Sequence, residues 1–164
     1  MKKIGVFVDV QNIYYTVKQQ YNSHFNFKYF LKKVSYKNKL ILANAYATHK
    51  NDVAQKRFQG LLASFGYNVK LTDYIQRSDG SSKGDWDVGI SLDIVQNSSF
   101  LDQIILASGD GDFESLIRYI KESSFVKVHL YGVPELTSHK LIASADEYSP
   151  IDSEYLLAIP EQKW

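Results

Sequence analysis

The chain has 164 residues, 45% hydrophobic and 23% charged, which suits a globular protein with one core and not a disordered one. It has no cysteine, so disulfide frameworks, zinc–thiolate and iron–sulfur sites and thiol nucleophiles are excluded together. The net charge of +1 conceals an asymmetry: residues 1–84 hold 14 Lys and Arg against 4 Asp and Glu, while residues 85–164 hold 5 against 14. A basic half beside an acidic half fits a phosphate-binding surface next to a metal-binding cluster, and it also fits two solvated faces that neutralise each other. The first apolar run, Ile4 to Val8, is cut by Asp9. It is too short for a signal-peptide core, and no run reaches membrane-spanning length, so a soluble cytoplasmic protein with no membrane partner is expected.

Lys3 to Val8 predicts a first strand, closed by Asp9, and a helical stretch follows from Asn12 to about Tyr21. Residues 22–38 read as an irregular insertion with five aromatics (Phe25, Phe27, Tyr29, Phe30, Tyr36), the lysines Lys28, Lys32, Lys33 and Lys37, and no acidic residue. Lys39 to Thr48 predicts a buried second strand. Asp52 opens a helix in which Val53, Phe58, Leu61, Leu62 and Phe65 keep a helical period up to Gly66, a C-cap residue. Tyr67 to Ile75 alternates as a third strand, and Ser78 to Gly84 is the most loop-like stretch, expected to be mobile. Asp87 to Gln96 reads as a helix, Gln103 to Ala107 as an apolar strand, and Ser108 to Asp112 as a turn into a helix from about Phe113 to Lys121. Phe125 to Tyr131 is a fifth strand, and residues 136–143 are a last short helix. Strands alternating with helices predict an α/β fold: a three-layer α/β/α sandwich on a mainly parallel sheet of about five strands, forming a single domain over residues 1–164.

Ligands of open parallel sheets bind at the carboxyl ends of the strands. Asp9 and Asn12 follow the first strand there, Asp110 and Asp112 follow the fourth, and the loop after the third delivers Asp85 and Asp87 to the start of a helix. Carboxylates gathered at one edge repel and raise each other's pKa unless a cation neutralises them. Oxygen-only ligands favour a hard ion, Mg²⁺ or Mn²⁺, which suits phosphodiester hydrolysis. Asp87 and Asp112 also precede helices and can serve as plain N-caps, whereas Asp9 closes an apolar strand, where a cap is a poorer explanation.

Competing motifs fail on inspection. Glu114 stands where a dinucleotide fingerprint needs its third glycine, no P-loop occurs, and Ser115 replaces the sixth-position glycine of a calcium loop. Val10-Gln11-Asn12 lacks the second Asp and the Thr of an aspartyl-nucleophile phosphatase, and the four histidines show no ligand or triad spacing.

Phe7-Val8-Asp9-Val10-Gln11-Asn12-Ile13 resembles the opening Asp-x-x-Asn motif of NYN domains, and Ser108-Gly109-Asp110-Gly111-Asp112-Phe113 is similar to their Ser-Gly-Asp-x-Asp-Phe motif. Lys83-Gly84-Asp85-Trp86-Asp87-Val88 resembles the family's Lys-Gly-x-Asp-Val, and Ala143 to Tyr148 is like the Ala-Asp-x-Phe ending of LabA-like members. The resemblance implies a PIN-like fold and a metal-dependent ribonuclease-type site, with Asp9, Asp87, Asp110 and Asp112 as the acidic set and Asn12 supporting it. In the family the Asp stands three residues after the Lys, where this chain has Trp86. Val88 and Asp93 keep register with Asp87, which makes Asp87 the expected ligand and Asp85 a supporting or substitute one.

On this reading Asp9, Asp87 and Asp110 hold Mg²⁺ or Mn²⁺, Asp112 completes the set, and Ser108 orients Asp110. Lys83 and Trp86 beside the site, and Lys28, Lys32 and Lys33 of the insertion, are candidate contacts to single-stranded or structured RNA through charge and base stacking. The insertion reads equally as lysine-rimmed helices packing on the sheet, and Trp86 equally as a buried anchor. A nucleic-acid-binding or regulatory module without turnover, and a hydrolase of nucleotides or other small phosphoesters, stay open beside the nuclease. A homodimer is compatible with the aromatic content, although no particular residue points to an interface.

Overall fold

A computed structural model of the chain describes residues 1–49, 52–73, 75–76, 82–83 and 86–157. Strand β1, Lys3–Asp9, is buried at every position from Ile4 to Val8, as an apolar run must be when both faces of its sheet are covered. After it come α1 (Val10–Tyr21), α2 (Phe27–Ser35), β2 (Lys39–His49), α3 (Val53–Ser64) and β3 (Asn68–Asp73). A two-residue pair, β4 (Ile75–Gln76) and β5 (Ser82–Lys83), leads to α4 (Asp87–Asn97). The chain continues through β6 (Gln103–Ala107), α5 (Glu114–Ser123), β7 (Lys127–Gly132), α6 (His139–Ser144) and β8 (Glu147–Pro150).

The central sheet has six strands in the order β3-β2-β1-β6-β7-β8, all parallel, with β4 and β5 forming a separate antiparallel pair. The pleat of β1 divides the core. Ile4, Val6 and Val8 pack with Val10, Ile13 and Val17 of α1, Phe27, Phe30 and Val34 of α2, and Phe58 and Leu62 of α3. Phe7 points the other way, into Ile90 and Ile94 of α4, Leu116, Ile117 and Ile120 of α5, and Leu141 of α6. Helices α1–α3 therefore cover one face and α4–α6 the other, giving the α/β/α sandwich expected from the alternation of elements.

The structure corrects the sequence reading in five places. The sheet has six strands where about five were expected; β8 escaped notice because Glu-Tyr-Ser-Pro is polar, partly exposed and at the sheet edge. The 22–38 insertion is not irregular, since Asn26 accepts the Tyr29 amide at 3.0 Å and caps α2, whose Phe27, Phe30, Leu31 and Val34 are buried. The third strand stops at Asp73 instead of reaching Ile75, and the fifth starts at Lys127 because Phe125 is fully exposed. The last helix starts at His139, after a 3-10 turn over Pro134–Leu136. Gly66, at φ +111°, takes the left-handed conformation that ends α3. Most of the Ser78 to Gly84 loop lies outside the described residues.

From β1 the chain winds outward through β2 to β3, then returns to place β6 on the other side of β1. This reversal makes the β1/β6 seam the topological switch point, where a crevice opens beyond the carboxyl ends of the strands. Val8 pairs in register with Ala107, so Asp9 and Ser108 are the first residues past the seam.

Candidate metal centre

Asp9 ends β1 and caps α1, its Oδ1 accepting the Asn12 amide at 3.4 Å. The wholly buried Ser108 donates its hydroxyl to Asp9 Oδ2 at 3.0 Å and accepts the Asp110 amide at 3.2 Å. Asn12, one turn into α1, accepts the Gly109 amide on its Oδ1 at 2.8 Å. Two bonds, from the Ser108 hydroxyl to Asp9 and from the Gly109 amide to Asn12, thus tie the turn after β6 to the turn after β1. Asp110 in turn caps the 3-10 turn Gly111–Phe113, accepting the Asp112 amide on Oδ1 at 2.9 Å.

The turn is also walled from behind. A Cβ on Gly109 would lie 2.6 Å from the Leu136 carbonyl oxygen, and one on Gly111 would lie 2.9 Å from Ser138 Oγ. The Ser138 amide donates to the Gly109 carbonyl at 3.1 Å. Glycine is required at position 109 by this close approach of backbone.

Asp87 arrives from the opposite face of the sheet as the first residue of α4, where the helix dipole favours a carboxylate. Trp86 sets its position: the indole N–H donates to the Ala47 carbonyl at 2.9 Å and the ring meets Tyr46 edge-on at 5.4 Å. A Cβ on Gly89 would sit 2.4 Å from Trp86 Cε3, so the ring folds over the first turn of α4 only because residue 89 is glycine. Trp86 is in this way an anchor of the site. One helical turn on, Asp93 Oδ2 accepts the Tyr46 hydroxyl at 2.7 Å and pairs with Lys70 Nζ at 2.7 Å, while Asn44 Nδ2 donates to the same tyrosine oxygen at 3.0 Å. Burial pushes the Tyr46 hydroxyl far above its ordinary range, which keeps it a neutral donor. In the sequence reading Asp93 is only a register marker; the signal for its anchoring role is an acid set between the apolar Leu92 and Ile94 within α4.

One oxygen each from Asp9, Asp87 and Asp110 lies within 4.8 Å of the others. Asp9 is the most enclosed of the three. Three carboxylates from three separate stretches form an oxygen-only donor set with no nitrogen or sulfur, which fits a hard divalent cation that retains several waters. Asp112 stands outside this group and is exposed. Asp85 lies outside the described residues, as does the side chain of Lys83. The insertion's Phe25, Phe27 and Phe30 are core residues and cannot stack on bases. Lys28 and Lys32 face solvent, whereas Lys33 pairs with Glu154 and lies 5.1 Å over the Tyr155 ring.

The model of the NYN domain family matches residues 3–152. The chain is 28% identical over 154 residues to the low amplitude and bright protein LabA of Synechococcus elongatus, covering 89% of this chain and 82% of that one. It is 46% identical to a protein of unknown function from Vibrio parahaemolyticus whose crystal structure superposes with a TM-score of 0.91, covering 95% of this chain and 96% of that one. The matched span contains all three clustered carboxylates and the turns that hold them, and the chain belongs to the NYN domain family.

Proposed function

We propose that the protein is a ribonuclease, hydrolysing RNA phosphodiester bonds with Mg²⁺ or Mn²⁺ held by Asp9, Asp87 and Asp110. The convergence of these carboxylates at the β1/β6 switch point carries the reading. When bound, such an ion polarises the phosphoryl oxygen and lowers the pKa of the attacking water. Ser108 holds Asp9 in orientation through its hydroxyl. Asn12 Oδ1 is engaged by the Gly109 amide, which leaves the Asn12 amide N–H groups as donors for a phosphate oxygen. Asp112, on the exposed rim, orients water around the site, and Asp85 supports the set. The solvent-facing lysines, among them Lys28 and Lys32, supply charge for an RNA backbone. No described helix is long and apolar enough to cross a membrane, and the RNA substrate is expected in the cytoplasm.

The test is a panel of single-stranded RNA, duplex RNA, DNA and nucleotides, incubated with Mn²⁺ and with chelator. RNA is cleaved with Mn²⁺ and not with chelator, and Asp9→Asn and Asp110→Asn each lose more than roughly a hundredfold, since even outer partners of a metal ligand are worth 10- to 100-fold. Cleavage persisting in both variants overturns the site. Binding without turnover makes the protein a regulatory module, and hydrolysis confined to nucleotides makes it a small-phosphoester hydrolase.

A further inference from the structure

Beside the acidic cluster, on the α1/α3 side of the same strand edge, lies a groove the proposed chemistry does not use. It has a volume of about 150 Å³ and lies between the first turns of α1 and α3, over the end of β2. Its floor is apolar, formed by the buried Val10, Ala47 and Phe58. Its walls carry Gln11, Thr48 and Gln55, whose side chains make no hydrogen bond to the described residues, together with Tyr14 and the half-exposed Tyr15. An apolar floor ringed by a few unengaged polar groups is the chemistry of a small-ligand site.

The groove neighbours the carboxylates through the chain and the sheet, although none of the three lines it. Val10 and Gln11 directly follow Asp9, and Asp9 pairs in register with Tyr46, next to Ala47 in the groove floor. The Ala47 carbonyl also accepts the Trp86 indole that positions Asp87. A ligand in the groove therefore lies against the residues that hold the cluster.

We infer that this groove binds the base of a nucleotide flanking the cleaved phosphate, and that it selects pyrimidines. This rests on the ribonuclease reading. The space of about 150 Å³ in this open groove is of the size of one six-membered aromatic ring, so a single-ring base fills it more completely than a fused purine, part of which stays in solvent. Tyr14 and Tyr15 present ring surface for stacking, and a glutamine amide offers donor and acceptor together, matching the edge of a base.

Binding is measured on the whole chain in chelator, by fluorescence anisotropy of end-labelled short oligouridylate and oligoadenylate, with uridine monophosphate as competitor. Oligouridylate binds more tightly than oligoadenylate. Tyr15→Ala and Gln55→Ala, both at the surface and checked by thermal unfolding, each weaken oligouridylate about tenfold and leave oligoadenylate nearly unchanged. Oligomers bound without base preference, or bound equally by both variants, overturn the groove as a base site and leave the ribonuclease reading standing. Monophosphate competing as well as the oligomer assigns the groove to free nucleotides and overturns its role in a strand. If no RNA is bound in chelator and none is cleaved with Mn²⁺, the ribonuclease reading fails and the base site fails with it.

Discussion

The Ser108 hydroxyl donates to Asp9 Oδ2 at 3.0 Å across the seam between β6 and β1, and Ser108 Oγ accepts the Asp110 amide at 3.2 Å. A single buried hydroxyl thus holds two of the three clustered carboxylates in relation to each other. Ser108→Ala keeps most of the packing and removes both bonds. The expected cost is about 1–3 kcal/mol, a fall in Tm of several degrees at about 2–4 °C per kcal/mol for this size. Mn²⁺ affinity, followed by the metal-induced rise in Tm, should weaken by about 10- to 100-fold.

Asp110→Asn separates a charged ligand from a structural cap. Asparagine can still accept the Asp112 amide that Asp110 Oδ1 holds at 2.9 Å, while one of three clustered like charges is removed. In chelator the variant should melt at or above the wild-type temperature, and in Mn²⁺ it should lose the stabilisation that a native-state ligand provides. Asp110→Ala, which also loses the cap, should cost about 1 kcal/mol in chelator. Mn²⁺ stabilisation retained in full by Asp110→Asn would assign the residue to capping alone.

Gly89→Ala tests the Trp86 anchor. With a Cβ 2.4 Å from the ring, either the indole or the first turn of α4 must move, an overpacking cost of about 1–3 kcal/mol. Urea unfolding should show the loss, and near-ultraviolet circular dichroism should register the displaced indole. The proposed ribonuclease activity should fall with it, because Asp87 directly follows Trp86.

Tyr46→Phe removes the hydroxyl that donates to Asp93 and accepts from the buried Asn44. An unpaired buried amide and a weakened carboxylate cost about 2 kcal/mol, measurable as a lower urea midpoint with an unchanged m-value.

His129 gives the fold a pH dependence. Its ring stacks on Tyr131 at 4.4 Å and meets Ser149 Oγ at 2.8 Å. Burial lowers its pKa, with Lys2 acting in the same direction and Glu147 opposing it. The unfolded chain therefore takes up this proton first as pH falls. The contribution is whole above the ordinary histidine range, declines as pH falls through the depressed native value, and is flat below it. Denaturant unfolding between pH 7.5 and 5 should show the decline for the wild type and a smaller one for His129→Gln.

Much of this was readable from residue types alone, for identifiable reasons. Gln103–Ala107 is a strand at the bounds expected, because an unbroken apolar run between turn residues has few alternatives. Asp9 and Asp110 meet because parallel strands present their carboxyl ends at one edge, and Asp87 joins them from a helix start on the opposite face. The exposure of Asp112 was not readable, since the direction of the 3-10 turn after Asp110 is set by the Leu136 to Ser138 wall. Helix α2 did carry a signal, with Phe27, Phe30, Leu31 and Val34 at helical spacing. Its partners, Tyr131 and Tyr155, lie far away in sequence, beyond β6. Strand β8 owes its pairing to β7 and has no apolar pattern of its own.

The backbone contact between Gly109 and Leu136 links chemistry to a stretch of chain that contributes none of the three clustered acids. A protein shortened to end before Val133 would retain Asp9, Asp87 and Asp110 but lose the surface against which the Asp110 turn is cast. The shortest chain that carries the reactive groups is therefore shorter than the shortest chain that can aim them.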